Sequence, residues 1–526
     1  MIPVLTAAEP LSKIDINYGS IAPMLVVFGG ALIGVLVEAF AARHSRHETQ
    51  LGVAVVALLG SFAALLLLAR KNMVSTLAGA VVVDGVALVL QGLLILLALA
   101  SILIMGDRMS GQSADAFTPS GSSIPGSKQE EIAQRIGAAT TEVFPLALFA
   151  TGGMMMFVAA GDLLAMFVAL EALSLPLYVM TALARRRRLL SQEAALKYFL
   201  LGSFSSAFFL FGAALLYGFA GTLSLSGIAR VIPTTVNPGL LVPGVLLLLL
   251  GVLFKIGAWP FHNWVPDVYQ GAPTPVTGFM GACTKVAAFG ALLRLVYVGV
   301  GSTRWDWSIA LWVVAGMTMV VGSVLTVTQT DVKRMLAYSS VAHAGFILVG
   351  FLAFDRSAIG GVLFYLVAYG FTTVAAFGMV FLVRAGGSEA TTLSQWSGLG
   401  RQHPVFAAIF FFLLLAFAGI PLTSGFTAKV AAFMPAVAHG GVPGAVLVVI
   451  GVLCSLVTAF AYFRLAGLMF RAPDKEEMVQ GEGTEVVVAS STSTFAIAVG
   501  VMVTLALGVF PSPLLQVFES TTQFLP

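Results

Sequence analysis

Residues 245–290 read VLLLLLGVLFKIGAWPFHNWVPDVYQGAPTPVTGFMGACTKVAAFG. An apolar run leads to a single lysine, Lys255. Gly257 and Pro260 then interrupt it, and an aromatic segment carries His262. After the turn GAPTP a second apolar helix begins, with a second lone lysine, Lys285. A charge inside a membrane-length apolar helix is costly and persists where it has a function or a partner. The stretch therefore predicts a broken membrane helix followed by a whole one, each carrying a buried cation.

The composition agrees with a membrane setting. The chain has 526 residues, 59% hydrophobic and 10% charged, where soluble domains carry roughly 25% charged residues. The apolar runs are continuous rather than alternating, which excludes a β-barrel and predicts an all-α polytopic membrane protein. A formal net charge of +3 says little, and nothing suggests nucleic acid binding. Cys283 and Cys454 lie in apolar runs without metal-ligand or CxxC spacing, so packing is their expected role. The first residues lack a basic segment followed by an apolar core, so no cleaved signal peptide is expected.

Counting apolar runs of crossing length gives about 14 helices. They group as a three-helix segment (1–106), a Ser/Gly/Pro-rich polar loop (107–142), two five-helix units (143–298 and 305–471), and an acidic loop with a last helix (472–526). With the N-terminus outside, about fifteen Lys and Arg fall in inner loops, Arg185–Arg188 foremost, against six outside. That bias satisfies the positive-inside rule and makes the Arg185–Arg188 run a topology anchor. Asp84 and Asp162 stand at helix starts, where a carboxylate caps and favours the dipole.

A second break is expected at GIPLTSG, Gly419–Gly425, shortly before Lys429. Lys429 lies 174 positions after Lys255 (429 − 255), and His343 lies 172 after Glu171 (343 − 171). Five helices fill each interval. Five is odd, so the second unit is expected to be inverted in the membrane, and each unit contains a broken helix. The symmetry is imperfect, because Lys255 precedes its break while Lys429 follows its own.

The intramembrane titratable groups are Glu171, Lys197, Lys255, His262, Lys285, His343 and Lys429. A proton crossing about 30 Å of hydrocarbon needs such groups, linked by water. Lysine kept from water gives up its proton more readily, and a nearby carboxylate reverses that, so a Glu–Lys pair acts as a switch. Histidine titrates near neutrality and suits a link. Plainer roles exist: Lys197 follows Glu193 by four residues and fits an interfacial pair, His262 could bond the broken backbone, and His343 could join helices. No phosphate loop, dinucleotide fingerprint, haem motif or cysteine cluster is present, so the chain carries no evident cofactor of its own.

These residues carry a resemblance. LFKIGAWPFHNWVPDVYQGAPTPVTGFMGACTKVAAF (253–289), DVKRMLAYSSVAHAGF (331–346) and LAFAGIPLTSGFTAKVAAF (415–433) resemble the motifs of the antiporter-like membrane subunits of respiratory complex I. The likeness covers roughly residues 143–470. Lysine at Lys429, the chain length and QEAALKYFLLGSFSSAFFLFG (192–212) are similar to the branch related to mitochondrial subunit 2. The member with a long lateral helix would need a further C-terminal extension. The resemblance implies a non-redox subunit of NADH:quinone oxidoreductase in the bacterial inner (plasma) membrane, moving protons while quinone is reduced elsewhere. NADH, flavin (FMN), iron–sulfur clusters and quinone would bind in partner membrane and peripheral subunits. Glu171 matches the carboxylate paired with Lys255, Lys285 the connecting lysine, and Lys429 the exit-side lysine. Lys197, His262 and His343 match positions of a hydrophilic axis. The alternative is a subunit of a multi-subunit sodium/proton antiporter, which shares the motifs and needs no electron transfer.

Overall fold

The computed structural model describes residues 15–108, 116–118, 124, 127–135, 140–234, 239–386, 388–472 and 484–525. Lys13, Lys475, most of the acidic loop and much of the 107–142 loop lie outside the described residues.

The elements are helical. The N-terminal segment holds α1 (Tyr18–Phe40), α2 (Arg43–Leu67) and α3 (Gly85–Met105). Next come α4 (Val143–Ala159), α5 (Leu163–Thr181), α6 (Arg188–Ala220), α7 (Leu241–Ile256), α8 (Trp264–Gly271) and α9 (Thr274–Gly299). The second half has α10 (Arg304–Thr328), α11 (Val332–Phe351), α12 (Arg356–Leu382), α13 (Pro404–Ala418), α14 (Ser424–His439) and α15 (Gly441–Phe470). α16 (Ser491–Val509) and α17 (Ser512–Thr521) close the chain. Among the described residues, eleven helices are long and apolar enough to cross a membrane, and α4, α7 and α13 are shorter apolar ones. The chain is a multi-pass α-helical membrane protein.

Aspartates start the helices where the sequence places them. Asp84 accepts from the Ala87 amide at 2.9 Å, Asp162 from Ala165 at 2.6 Å and Asp331 from Arg334 at 3.0 Å. Each satisfies an amide that the first helical turn leaves without an internal partner. Asp84 does more, because it also forms a fully buried ion pair with Arg294 at 2.8 Å.

The three long helices least apolar in sequence, α9, α11 and α12, are the three most completely enclosed. This ordering follows from the solvent. Lipid accepts apolar faces without cost, so helices bearing polar groups withdraw to the interior, where other helices satisfy them. Around them α4 packs on α5, α6 on α7, α10 on α11, and α14 and α16 on α12.

Five short strands accompany the helices without changing the all-α class. Strands β1 (Val74–Thr76) and β2 (Val81–Val83) form an antiparallel hairpin before α3. At the end of α12, β3 (Val383–Ala385) pairs antiparallel with both β4 (Ser388–Glu389) and β5 (Thr484–Val486). Backbone leaving a helix end at the bundle surface needs partners, and short ladders supply them.

Candidate functional site

Two helices stop inside the bundle in the same way. At the end of α7, Gly257 takes φ +77°. Its amide bonds the Phe254 carbonyl, and the Ala258 amide reaches back to Leu253. At the end of α13, Gly419 also takes φ +77°, its amide bonds Ala416, and the Ile420 amide reaches Leu415. Both are glycine-terminated ends in which a left-handed residue turns the chain out of the helix. Glycine therefore ends the first half-helix three residues before Pro260, the residue singled out by sequence.

Such an end leaves the last two helical carbonyls unpaired, at the negative pole of the helix dipole. Lysines fill that role at both ends. Lys285 Nζ donates to the Ile256 carbonyl at 2.9 Å. Lys429 Nζ donates to Phe417 at 3.1 Å, Ala418 at 2.8 Å and Ser455 Oγ at 2.5 Å. In local role, then, Lys429 is the counterpart of Lys285 rather than of Lys255. The near-equal sequence spacing does not reveal this, because Lys285 reaches its break from the following helix, α9. That helix holds Lys285 directly after a π-helical segment, Met280–Thr284, a distortion found often at functional sites.

Lys255 is held differently. It is buried on α7 with no carboxylate within ion-pair distance among the described residues. Its Nζ lies 3.5 Å from Tyr178 Oη, and 5.3 and 5.2 Å from the ring centres of Tyr178 and Tyr198. Aromatic faces stabilise a cation without neutralising it. Glu171 stands two helical turns before Tyr178 on α5, and its charge acts on both Tyr178 and Lys255 through space. Its Oε1 is buried without a hydrogen-bond partner. Glu171 thus shares α5 with Tyr178, which lies against Lys255, and Glu171 makes no ion pair with that lysine.

Between the two breaks lies His343 on α11. Its Nδ1 is 2.8 Å from Tyr365 Oη, and its ring packs 5.5 Å from that of Phe417. Phe346 packs edge-on to it at 5.5 Å and carries Lys429 Nζ 4.9 Å from its ring centre. Alongside, Tyr269 Oη lies 3.5 Å from Ser340 Oγ, and Ser340 also bonds Tyr369. Ser339 bonds Tyr462. Six of the ten tyrosines, at positions 178, 198, 269, 365, 369 and 462, line this row. Charge alone does not single them out. Their sequence signal is tyrosine deep within apolar runs, away from the interfacial belt it normally occupies.

Two expected members stand apart. Lys197 is about half exposed and pairs with Glu193 at 2.8 Å and Asp267 at 2.9 Å. Asp267 in turn holds Arg334 at 2.6 Å. His262 is buried against Tyr338, its Nδ1 unpartnered, with no bond to Lys255 or Lys285. Among the described residues no cluster of His, Cys, Asp and Glu could hold a metal ion, and both cysteines are free.

A bundle of membrane helices with two glycine-terminated half-helices, each holding a buried lysine at its carbonyl end, has the form of an antiporter-like membrane subunit. The sequence family described as NADH:quinone oxidoreductase/Mrp antiporter, TM matches residues 160–458. NADH-quinone oxidoreductase subunit N of Rhodococcus opacus is 52% identical, over 99% of this chain and 98% of the relative. Subunit N of Mycobacteroides abscessus is 50% identical over 97% and 98%. A chain of respiratory complex I from Thermus thermophilus, solved with bound aureothin, superposes with a TM-score of 0.73 at 30% identity, covering 94% of this chain and 98% of that one. A chain of the Mrp complex from Dietzia shares the fold, with a TM-score of 0.76 at 22% identity, over 96% and 97%. The chain belongs to the NADH:quinone oxidoreductase/Mrp antiporter family, in its NADH-quinone oxidoreductase subunit N branch.

Proposed function

We propose that this chain is a proton-translocating membrane subunit of NADH:quinone oxidoreductase, in which quinone reduction in partner subunits drives proton transfer along the row from Glu171 to Lys429. The observation that carries the reading is the buried polar row itself. Lys285 and Lys429 sit on the carbonyl ends of the two broken helices, and buried His343 packs against Phe417 at the second of them. At the Glu171 end, Tyr178 and Lys255 form the switch, the carboxylate favouring the lysine's charged form when near and releasing it when withdrawn. Flavin, iron–sulfur clusters, NADH and quinone are assigned to partner subunits, and the chain contributes no redox step of its own.

We assign fourteen crossings, the three shorter apolar helices included, with the N-terminus outside and the arginine-rich loops cytoplasmic. Two inverted five-helix units give the layout. A loop contact that sequence spacing alone does not expose supports the pairing. Asp162 bridges antiparallel to Ser224, and Asp331 to Thr392, offsets of 169 (331 − 162) and 168 (392 − 224). Leu163 and Leu225 bond across the first bridge to Leu223 and Gly161, as Val332 and Leu393 bond across the second to Thr391 and Thr330.

The test is Lys255→Ala in the intact complex, reconstituted in liposomes. Proton transfer through a removed relay group slows on the order of 100-fold or more, so coupled pumping per NADH oxidised collapses while the complex stays assembled. Normal pumping by the assembled variant would end the relay role of Lys255. The second reading, a sodium/proton antiporter subunit, draws on the fold shared with the Mrp complex. Purification from native membranes separates the two: flavin and iron–sulfur subunits accompany the first, small membrane subunits alone the second.

A further inference from the structure

Arg384 is the unexplained charge in this molecule. It sits on β3 at the end of α12 with 6% of its surface exposed. Its Nε and Nη2 are buried without hydrogen-bond partners, and its guanidinium covers the Phe381 ring at 4.6 Å. Its cross-strand neighbour is Glu389, but that carboxylate is engaged elsewhere. Oε1 accepts from the Thr274 amide at 3.1 Å and Oε2 from buried Lys333 at 3.1 Å. Asp107 acts on Arg384 through space but does not line the pocket beside it. A buried guanidinium with open N–H groups calls for an acceptor.

That pocket is lined by Arg384, Arg185, Arg186, Arg187, Gln270 and Glu389. Glu389 has both oxygens held and Arg187 Nη1 already donates to Thr391 Oγ1 at 2.8 Å, so it is Arg384 that brings open N–H groups to this pocket. The whole pocket has ≈ 20 Å³, room for one oxygen-sized group. The arginines come from the turn between α5 and α6 and from the end of α12, so the two halves of the chain meet here. The site lies at helix ends, where the bundle reaches the membrane surface. That space suits one oxygen of a phosphate group beside Arg384, and exposed Arg186 and Arg187 line the same pocket. We propose that this pocket binds a phosphate group, carried by an anionic phospholipid headgroup or free in solution. The Arg185–Arg187 run is then part of a ligand site as well as a topology anchor.

The test uses the intact complex in phosphatidylcholine nanodiscs containing a minor fraction of phosphatidylglycerol. Spin-labelled phosphatidylglycerol reports immobilised anionic lipid, and spin-labelled phosphatidylcholine gives the background. One arginine near a membrane surface changes anionic lipid affinity roughly five-fold. Arg384→Gln and, separately, Arg186→Gln are each expected to lower phosphatidylglycerol association by about that factor, with phosphatidylcholine unchanged. Exposed Arg70→Gln, remote from the pocket, serves as the control. Should Arg384→Gln fail to assemble, the surface substitution at Arg186 still decides the matter. If the lipid signal does not respond but inorganic phosphate, followed by phosphorus NMR, binds wild type and not the variants, the site takes free phosphate. Wild type and variants that match in both measurements would overturn the proposal. None of these readouts depends on proton pumping, so the site stands or falls separately from the relay.

Discussion

Lys285 and Lys429 each place an ammonium on the carbonyls that a glycine-terminated half-helix leaves open. The lysines were legible as costly charges in apolar runs; their acceptors were not, because a backbone carbonyl carries no sequence signature. Glu171 and Lys255 were likewise legible, but the contact of Lys255 with Tyr178 was not. Lys197 looked much like the buried lysines in sequence and turns out to be paired at the surface, as its i,i+4 neighbour Glu193 allowed. At this scale Glu389 gives a pH prediction. Burial alone would raise its carboxyl, but Lys333, Arg384 and the Thr274 amide overrule that and hold it at about 2, against an ordinary 4.5. A depressed carboxyl stabilises the fold above its unfolded value and loses that contribution as pH falls from 4.5 toward 2. The full difference is worth up to about 3 kcal/mol. Glu389→Gln is expected to lower thermal stability at neutral pH and to converge with wild type at the acid end of that window. Parallel melting curves at every pH would contradict this.

Among the elements, the two half-helices were legible through their lone lysines and the GAWP and GIP interruptions. The device that stops them depends on a positive φ at Gly257 and Gly419. At Gly419 an added methyl would also sit 2.9 Å from Lys429 Cδ and Nζ. Forcing a side chain into the left-handed region costs about 1–2 kcal/mol. Gly419→Ala is therefore expected to lower stability by that amount and to slow proton pumping by pushing Lys429 off the Ala418 carbonyl. Gly467→Ala, with no neighbouring atom within 4 Å, provides the silent control. Pumping by Gly419→Ala equal to the control would show that the contact with Lys429 carries no function. The five short strands escaped the sequence reading, since three-residue ladders at helix ends are set by which loops meet rather than by any local pattern.

In the whole molecule, the buried Arg294–Asp84 pair ties α9 to the start of α3. It also holds the end of the chain: Asp84 Oδ2 accepts from the Leu525 amide at 3.2 Å, and Arg294 faces the Phe524 ring. Removing one partner of a buried pair leaves an uncompensated charge, at a cost of about 3–5 kcal/mol. Asp84→Ala should depress the melting temperature of the purified complex and expose the C-terminal residues to carboxypeptidase, whereas an unchanged melt and an intact tail would count against the clamp. The sequence by itself determined that the chain is a bundle of membrane helices, that two of them break, and that Lys255, Lys285 and Lys429 are charges inside apolar runs, because apolar length and the cost of charge in lipid are local properties. Only the tertiary structure decided that Lys285 and Lys429 each bond the open carbonyls of a half-helix, that buried tyrosines surround Lys255 and His343, and that four arginines line one pocket. Those facts depend on which helix ends and loops meet, and contacts between distant segments leave no periodicity in either one.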